Sequence, residues 1–136
     1  LNGGFQTWKH AGLPISTELE TPLPSDFPAT IRPNWLAQAT EVEAQLNKPE
    51  VQLLDARPDD FFEGFSWHPA ASKPGTIAGA VAFDNGHWFR SGGPLLESPE
   101  RLQSLVQENK LGQAEITVSF CNTGHWAATN WFVLSE

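Results

Sequence analysis

A single cysteine, Cys121, is the side chain of this sequence best suited to nucleophilic chemistry. It follows an apolar run at residues 116–120, which favours a strand because Ile, Thr and Val are β-branched. Residues 122–124 permit a tight turn, and the apolar residues from Ala127 onwards favour a helix. Loop amides and the positive end of the helix dipole would then converge on the sulfur, which favours a thiolate and any anion carried on it. Position alone leaves two interpretations equally open, a nucleophile or an inert buried cysteine.

Composition narrows the class of partner. The chain has 136 residues, 40% hydrophobic content and a formal net charge of -8, which is enough material for one domain with a substantial core. The eight Lys and Arg residues are dispersed, so no surface for nucleic acid or an anionic membrane is expected. The Cys and His spacing gives no zinc pattern, and we expect no metal and no cofactor. Small molecules or proteins are the expected partners.

The elements that must position Cys121 alternate between strands and helices. Strands are predicted over 51–57, within 75–83 as a short buried strand, and over 116–120. Residues 84–94 are predicted to be a loop. Helices are predicted for a turn bearing Phe5 and Trp8, for 35–46 with Asn34 as cap, for 59–64, for 99–110 with Ser98 as cap, and from Ala127 onwards. This alternation indicates a parallel α/β sheet with helices on both sides, and ligands bind beyond the carboxyl ends of such strands. Cys121 lies at one of these ends.

Three segments resemble the motifs of the rhodanese family of sulfurtransferases. Leu53–Arg57 resembles the first signature strand of the family. Gly75–Val81 resembles its glycine-bounded segment, with Thr76 in place of the usual His. Phe120–Ala127 resembles the active-site loop. The three motifs occur in the family's order and spacing over residues 32–136, so the resemblance implies a rhodanese-like parallel sheet flanked by helices on both faces.

The resemblance extends to the organisation of the chain. Residues 1–14 resemble the end of a rhodanese domain, and the Pro-rich residues 15–31 resemble the connector of tandem rhodaneses. Residues 32–136 then form a domain that stops before the last strand and helix expected of the family. The resemblance therefore predicts that this strand and helix are missing or supplied by another chain, so that another chain or the rest of a tandem rhodanese is an expected partner.

The resemblance also implies an activity and a set of site residues. Cys121 is expected to take a sulfane sulfur from thiosulfate or 3-mercaptopyruvate, hold it as a persulfide and pass it to cyanide or a thiol. The expected substrate loop is free of Asp and Glu, as an anionic persulfide requires; it comprises Asn122, Thr123, Gly124, His125, Trp126 and Ala127. Asp55 and Arg57 are expected to form the pocket rim or to support it. For Asp55 the structural role is the preferred interpretation, and for Arg57 both roles remain open.

Departures from the family pattern leave the donor open. Asn122 and Thr123 are neutral, whereas thiosulfate-specific members often carry basic residues directly after the cysteine. The missing positive charge has three candidate sources, namely His87, Arg90 and His125. Two tryptophans follow the cysteine: Trp126 is expected to wall the pocket mouth, and Trp131 is expected in the core.

Two competing functions share this fold. Phosphatases with a cysteine loop require an arginine to bind the phosphoryl group, and no Arg follows Cys121, which argues against them. The alternative that remains is a non-catalytic rhodanese-like module that binds or regulates other proteins. Retention of the cysteine counts against that alternative without excluding it.

Overall fold

Three parallel strands form the sheet of this computed structural model, which describes residues 2–30, 32–91 and 93–136. The strands are β1 (Val51–Asp55), β2 (Val81–Ala82) and β3 (Ile116–Phe120), in the spatial order β2-β1-β3. Asp55 pairs in register with Phe120 on one side and with Ala82 on the other. The carboxyl ends of all three strands are therefore level, and the predicted parallel α/β sheet is confirmed.

Helices connect the strands. The α-helices are α1 (Gly4–His10), α2 (Ala39–Gln45), α3 (Asp59–Glu63), α4 (Pro99–Glu108) and α5 (His125–Ser135), and short 3-10 helices span Pro33–Trp35 and Asn85–Trp88. The predicted start of α4 is confirmed, because the Ser98 hydroxyl accepts the Arg101 amide at 3.3 Å and Pro99 occupies the first helical position.

The apolar core lies on one face of the sheet. Leu54, in the central strand, is fully buried among side chains from the segment after β2, from α4 and from the turn that follows α4: Phe83, Trp88, Leu105 and Leu111. Leu102 and Val106 of α4 pack against this cluster. Side chains alternate along a strand, so Leu53 points to the opposite face, where it is also buried. Both faces of the central strand are thus covered.

The predicted helix over 35–46 is wrong in its first part. Leu36 and Gln38 have extended backbone conformations that separate a 3-10 turn at Pro33–Trp35 from α2. The Glu41 carboxylate accepts the Gln38 amide at 2.6 Å and so fixes the start of α2 at Ala39. The apolar spacing in this region was therefore helical only in its second half.

Three smaller predictions also require correction. β2 has only two residues and lies at a sheet edge, where Val81 is 38% exposed rather than buried. The predicted loop after β2 contains the 3-10 helix Asn85–Trp88, which places Trp88 in the core. Trp131 is 40% exposed and packs against Trp35, with ring centroids 5.1 Å apart, instead of lying in the core.

The amino-terminal residues form a helical turn followed by extended chain. The indole of Trp8 donates to the Pro14 carbonyl at 2.8 Å and closes the turn after α1. Residues 13–30 contain no helix or strand. The Leu96 amide donates to the Asn2 side chain at 2.9 Å, and this bond links the residues before α1 to the segment before α4. Leu1 and Ile31, at the ends of the predicted tail and linker, lie outside the described residues.

Candidate functional site

Cys121 lies at the carboxyl end of β3, in a short loop that leads into α5. Gly124 closes this loop with φ of 89°, a left-handed conformation that glycine adopts without strain, and caps α5. Its amide lies 3.1 Å from the Cys121 sulfur and is oriented as a donor to it. The Ala128 amide donates to the Gly124 carbonyl at 2.9 Å, so regular helical bonding begins directly after the loop. The loop thereby presents one backbone donor to a half-buried thiol.

Asp55 and Arg57 form a buried ion pair beside this loop. Two guanidinium nitrogens contact the carboxylate, Nε at 2.9 Å from Oδ1 and Nη2 at 2.7 Å from Oδ2. Asp55 is fully buried and Arg57 is 8% exposed. The Arg57 backbone amide also donates to Asp55 Oδ1 at 3.1 Å. Such a bidentate pair fixes both side chains and the backbone turn after β1.

The ion pair is connected to two neighbouring segments. Arg57 Nη2 donates to the Gly75 carbonyl at 2.9 Å, and the Thr76 hydroxyl donates to Asp55 at 2.6 Å. Arg57 Nη1 lies 3.5 Å from Asn122 Oδ1, at the limit of a hydrogen bond. The segment before β2 and the cysteine loop are therefore linked through one arginine.

Electrostatics keep this arginine charged. The hydrogen bonds that Arg57 donates to the Asp55 carboxylate raise the pKa of Arg57, against the opposing effect of burial. The charge of Asp55 raises the pKa further, and so does the charge of a Cys121 thiolate. The guanidinium is thus close enough to the thiol for the two charges to interact.

The remaining loop residues form the mouth of the site. His125 Nδ1 lies 3.1 Å from the Thr123 hydroxyl, and both side chains are exposed. Trp126, in the first turn of α5, is half-buried and meets Phe61 of α3 edge to face, with ring centroids 6.3 Å apart. Ala127 is half-buried beside it. The expected loop residues therefore lie together at the start of α5.

Two of the three candidate sources of positive charge, His87 and Arg90, lie outside the cysteine loop. His87 packs against Phe83, with ring centroids 5.4 Å apart, and Arg90 is exposed beside a shallow depression of about 430 Å³. A second depression, of about 470 Å³, lies between residues 2–4 and α5. Neither depression is lined by Cys121. Within the part of the chain that the structure describes, Arg57 is the one residue outside 121–126 whose side chain hydrogen bonds to a side chain of the cysteine loop.

Residues 2–30, 32–91 and 93–136 offer neither a metal site nor a membrane span. No group of three or more His, Cys, Asp and Glu side chains is placed to hold a metal ion there. None of the helices in these ranges has the length and apolar character needed to cross a bilayer.

Sequence reasoning missed the partners of its candidate residues. Thr76 was noted only as a replacement for His, yet its hydroxyl bonds directly to Asp55. Phe61, whose ring contacts Trp126, is not among the predicted site residues. A polar residue directly after a turn glycine was the available signal for Thr76, and no local signal identified Phe61.

Comparisons with known proteins place the chain in a family. A family model described as Rhodanese-like domain matches residues 38–136. The 3-mercaptopyruvate sulfurtransferase of Rattus norvegicus is 32% identical over 125 residues, which are 91% of this chain and 42% of the rat protein. The thiosulfate sulfurtransferase of the same species is 29% identical, with the same coverage of both chains. A probable 3-mercaptopyruvate sulfurtransferase of Pseudomonas aeruginosa is 33% identical over 99% of this chain and 47% of its own length.

Solved structures show the same fold at lower identity. An anaerobic ergothioneine biosynthesis enzyme from Chlorobium limicola, in complex with its natural substrate trimethyl histidine, superposes with a TM-score of 0.80 at 22% identity. The match covers 99% of this chain and 35% of the enzyme. A complex of EanB with hercynine gives a TM-score of 0.83, also at 22% identity, and covers 98% of this chain and 33% of EanB.

The chain spans less than half the length of the sulfurtransferases it matches. The family match nevertheless covers most of the chain and includes the sheet and the cysteine loop. The chain belongs to the rhodanese-like domain family, and these relatives are sulfurtransferases.

Proposed function

We propose that this domain transfers a sulfane sulfur, from a donor such as thiosulfate or 3-mercaptopyruvate to cyanide or a thiol, through a persulfide on Cys121. The observation that carries the proposal is the Gly124 amide at 3.1 Å from the cysteine sulfur, in a loop at the carboxyl end of a parallel strand. A binding module would have no use for a thiol held in this way. Membership of a family with sulfurtransferase relatives supports the same chemistry.

The first step is an attack by the Cys121 thiolate on the sulfur to be transferred. With 3-mercaptopyruvate this is the thiol sulfur, the carbon–sulfur bond breaks, and pyruvate leaves as its enolate, which takes a proton from water. With thiosulfate it is the outer sulfur. The sulfur–sulfur bond of thiosulfate breaks and sulfite leaves with the electron pair, so the enzyme retains a Cys121 persulfide. In the second step the acceptor attacks the outer sulfur of this persulfide, and the thiolate is regenerated. Thiolate attack with a good leaving group needs no general base, so the site requires no histidine partner for the cysteine.

Backbone donors supply the stabilisation that the intermediate requires. The first amides of a helix have no acceptor within the helix, and those of α5 begin at His125, four residues after Cys121. Together with the Gly124 amide they favour negative charge on the bound sulfur. The loop carries no carboxylate that would oppose it. Arg57 contributes a fixed positive charge nearby and acts as a positioning residue through Asn122.

An intact-mass measurement tests the proposal directly. The purified protein is measured before and after incubation with thiosulfate or 3-mercaptopyruvate, and again after cyanide. We expect a gain of one sulfur atom that cyanide removes. Because Cys121 is the only cysteine, the sulfur has one possible thiol to occupy.

The matched control is Cys121→Ser, which preserves the size and shape of the side chain. This variant should keep the circular dichroism spectrum of the parent and gain no sulfur. Sulfur transfer at the parental rate by Cys121→Ser would overturn the assignment. A folded parent that gains no sulfur from either donor would also contradict it.

A further inference from the structure

Two buried polar atoms have no hydrogen-bond partner among the described residues. One is Nδ2 of Asn130, on α5, and the other is Oγ of Ser119, on β3. Asn130 is fully buried, and its Oδ1 accepts the Trp88 indole at 2.7 Å, so the amide nitrogen is the part of this side chain that protein groups leave unpaired. A buried donor or hydroxyl without a partner is costly, because it has given up its hydrogen bonds to solvent. These two atoms therefore indicate a partner that is not a protein group.

Ser119 and Asn130 lie on the same face of the sheet. Ser119 pairs in register with Leu54, so the two side chains point to one face from strands about 4.8 Å apart. Leu54 shares the apolar core with Trp88, the residue whose indole bonds to Asn130. Val133, one turn further along α5, packs against the same core. The helix thus lies over the face from which Ser119 points.

The two side chains also lie at a similar depth below the cysteine loop. Since α5 follows β3 after a short turn and contacts it, the helix runs back along the strand. Ser119 precedes Cys121 by two residues, which is about 6.6 Å along a strand. Asn130 follows His125, the first residue of α5, by five residues, which is about 7.5 Å along a helix. The fold therefore places the two unpartnered atoms at one level between the strand and the helix.

A single water molecule matches the chemistry of these two groups. Nδ2 of Asn130 donates hydrogen bonds, and the Ser119 hydroxyl both donates and accepts. Water accepts from the amide and bonds to the hydroxyl in either sense, and two polar partners are enough to hold a buried water. An ion fits poorly, because the core cluster beside the two atoms consists of apolar side chains and a buried charge without a counter-charge is unstable. An apolar group would leave both atoms unpaired.

We propose that Ser119 and Asn130 bind one water molecule between β3 and α5, and that this water completes a hydrogen-bonded chain from Trp88 through Asn130 to Ser119. The chain joins the 3-10 helix after β2 to the strand before the Cys121 loop and to the helix after it. The water is a structural ligand of the domain, and its binding does not depend on sulfur transfer. It fixes the two elements whose junction carries the cysteine.

A high-resolution crystal structure of the parent protein tests the site directly. We expect one density peak about 2.7–3.2 Å from both Ser119 Oγ and Asn130 Nδ2, the range of a hydrogen bond. A direct bond between the two side chains, or no density between them, would overturn the proposal. Crystals soaked in bromide separate water from an anion, because bromide scatters anomalously and water does not. An anomalous peak at this position would also overturn the proposal.

A double-mutant cycle followed by urea denaturation tests the same site in solution. Ser119→Ala should lower the equilibrium constant for folding about fivefold, because the water loses one of its two partners. In an Asn130→Leu background, where the water has already lost its other partner, Ser119→Ala should lower this constant less than about twofold.

The matched control is Thr117→Ala, two residues earlier on the same face of β3, which should have an equal effect in both backgrounds. Equal effects of Ser119→Ala in the two backgrounds would show that Ser119 and Asn130 share no ligand. If Asn130→Leu does not fold, the crystal structure of the parent protein still decides between the outcomes.

Discussion

Two arginine–carboxylate pairs in this domain have similar chemistry and very different surroundings. Arg57 and Asp55 lie 2.7 Å apart with side chains 10% and 0% exposed. Arg101 and Glu108 lie 3.1 Å apart on the surface of α4, with side chains 49% and 57% exposed. The first pair also contacts the segment before β2 and the cysteine loop, whereas the second joins two residues of one helix.

The difference shows that burial, more than distance, decides what an ion pair does. A buried pair gains little net stability over apolar residues, because both charges must leave water, but removing one partner strands the other. An exposed pair is screened by solvent and salt, so its removal matters little. The Asp55–Arg57 pair therefore acts mainly by fixing geometry beside Cys121, and the Arg101–Glu108 pair is a minor addition to one helix.

The largest expected effect comes from breaking the buried pair on one side. Arg57→Met should destabilise the domain by about 3–5 kcal/mol, because Asp55 would remain buried without a counter-charge. Urea denaturation monitored by tryptophan fluorescence measures this change. The double variant Asp55→Leu, Arg57→Met should recover part of the loss, since it strands no charge. If the double variant were less stable than Arg57→Met, the interpretation of the pair would be wrong.

The contribution of the buried pair to stability has a predicted pH dependence. The pKa of Arg57 is raised by Asp55, so the stability contributed by its charge is fully present below the unfolded-state pKa and is lost only as pH rises through the higher folded-state pKa. The stability difference between the parent and the double variant Asp55→Leu, Arg57→Met, which strands no carboxylate, should thus stay constant from about pH 6 to about pH 9, well below the range in which arginine titrates. Denaturation curves at several pH values check this, and a difference that disappears within that window would contradict it.

Breaking a buried hydrogen bond between uncharged side chains should cost an intermediate amount of stability. The Trp88 indole donates to Asn130 Oδ1 at 2.7 Å, and both residues are fully buried. Trp88→Phe should cost about 1–3 kcal/mol, because the Asn130 oxygen would lose its partner in the core. Thermal unfolding measures the loss, and Phe89→Leu, next to it but half-buried, offers a matched control. A cost as large as that of Arg57→Met would remove the distinction between charged and neutral buried contacts.

The elements that carry the site were predictable because their signals are local. The apolar run before Cys121 and the Ser98–Pro99 cap each specify one element through residues adjacent in sequence. The start of α2 was not predictable, because the apolar spacing over 35–46 continues through an extended turn at Leu36. Trp131 was misplaced for a related reason: α5 carries no Asp, Glu, Lys or Arg along its length, so no polar face indicates which side is buried.

The contacts within the site depend on pairing between distant segments. Arg57 and Asn122 become neighbours because β1 and β3 pair with Asp55 opposite Phe120, and no local pattern gives that register. The preferred structural role of Asp55 remains a prediction, although its full burial and its bonds to Arg57 and Thr76 favour it. The roles of Cys121 and the loop after it likewise stay predictions until sulfur transfer is measured.

The contact between the buried ion pair and the cysteine loop gives a smaller predicted effect. Asn122→Ala removes the contact between Arg57 and the cysteine loop, which at 3.5 Å is weak. We expect kcat/KM for sulfur transfer to fall about fivefold, which corresponds to about 1 kcal/mol, with stability changed by less than about 0.5 kcal/mol. Thr123→Ala, next in the loop but without contact to Arg57, is the matched control. Equal losses in both variants would show that Arg57 does not position the loop.

The smallest effect is expected for the exposed pair. Glu108→Gln should change stability by about 0–1 kcal/mol, because both side chains remain largely in solvent. Any difference from the parent should disappear in about 1 M NaCl, where screening extends over only a few ångströms, whereas the loss in Arg57→Met should persist. Urea denaturation of both variants at low and high salt measures the contrast. If Glu108→Gln retained a salt-independent loss as large as that of Arg57→Met, exposure would not be what separates the two pairs.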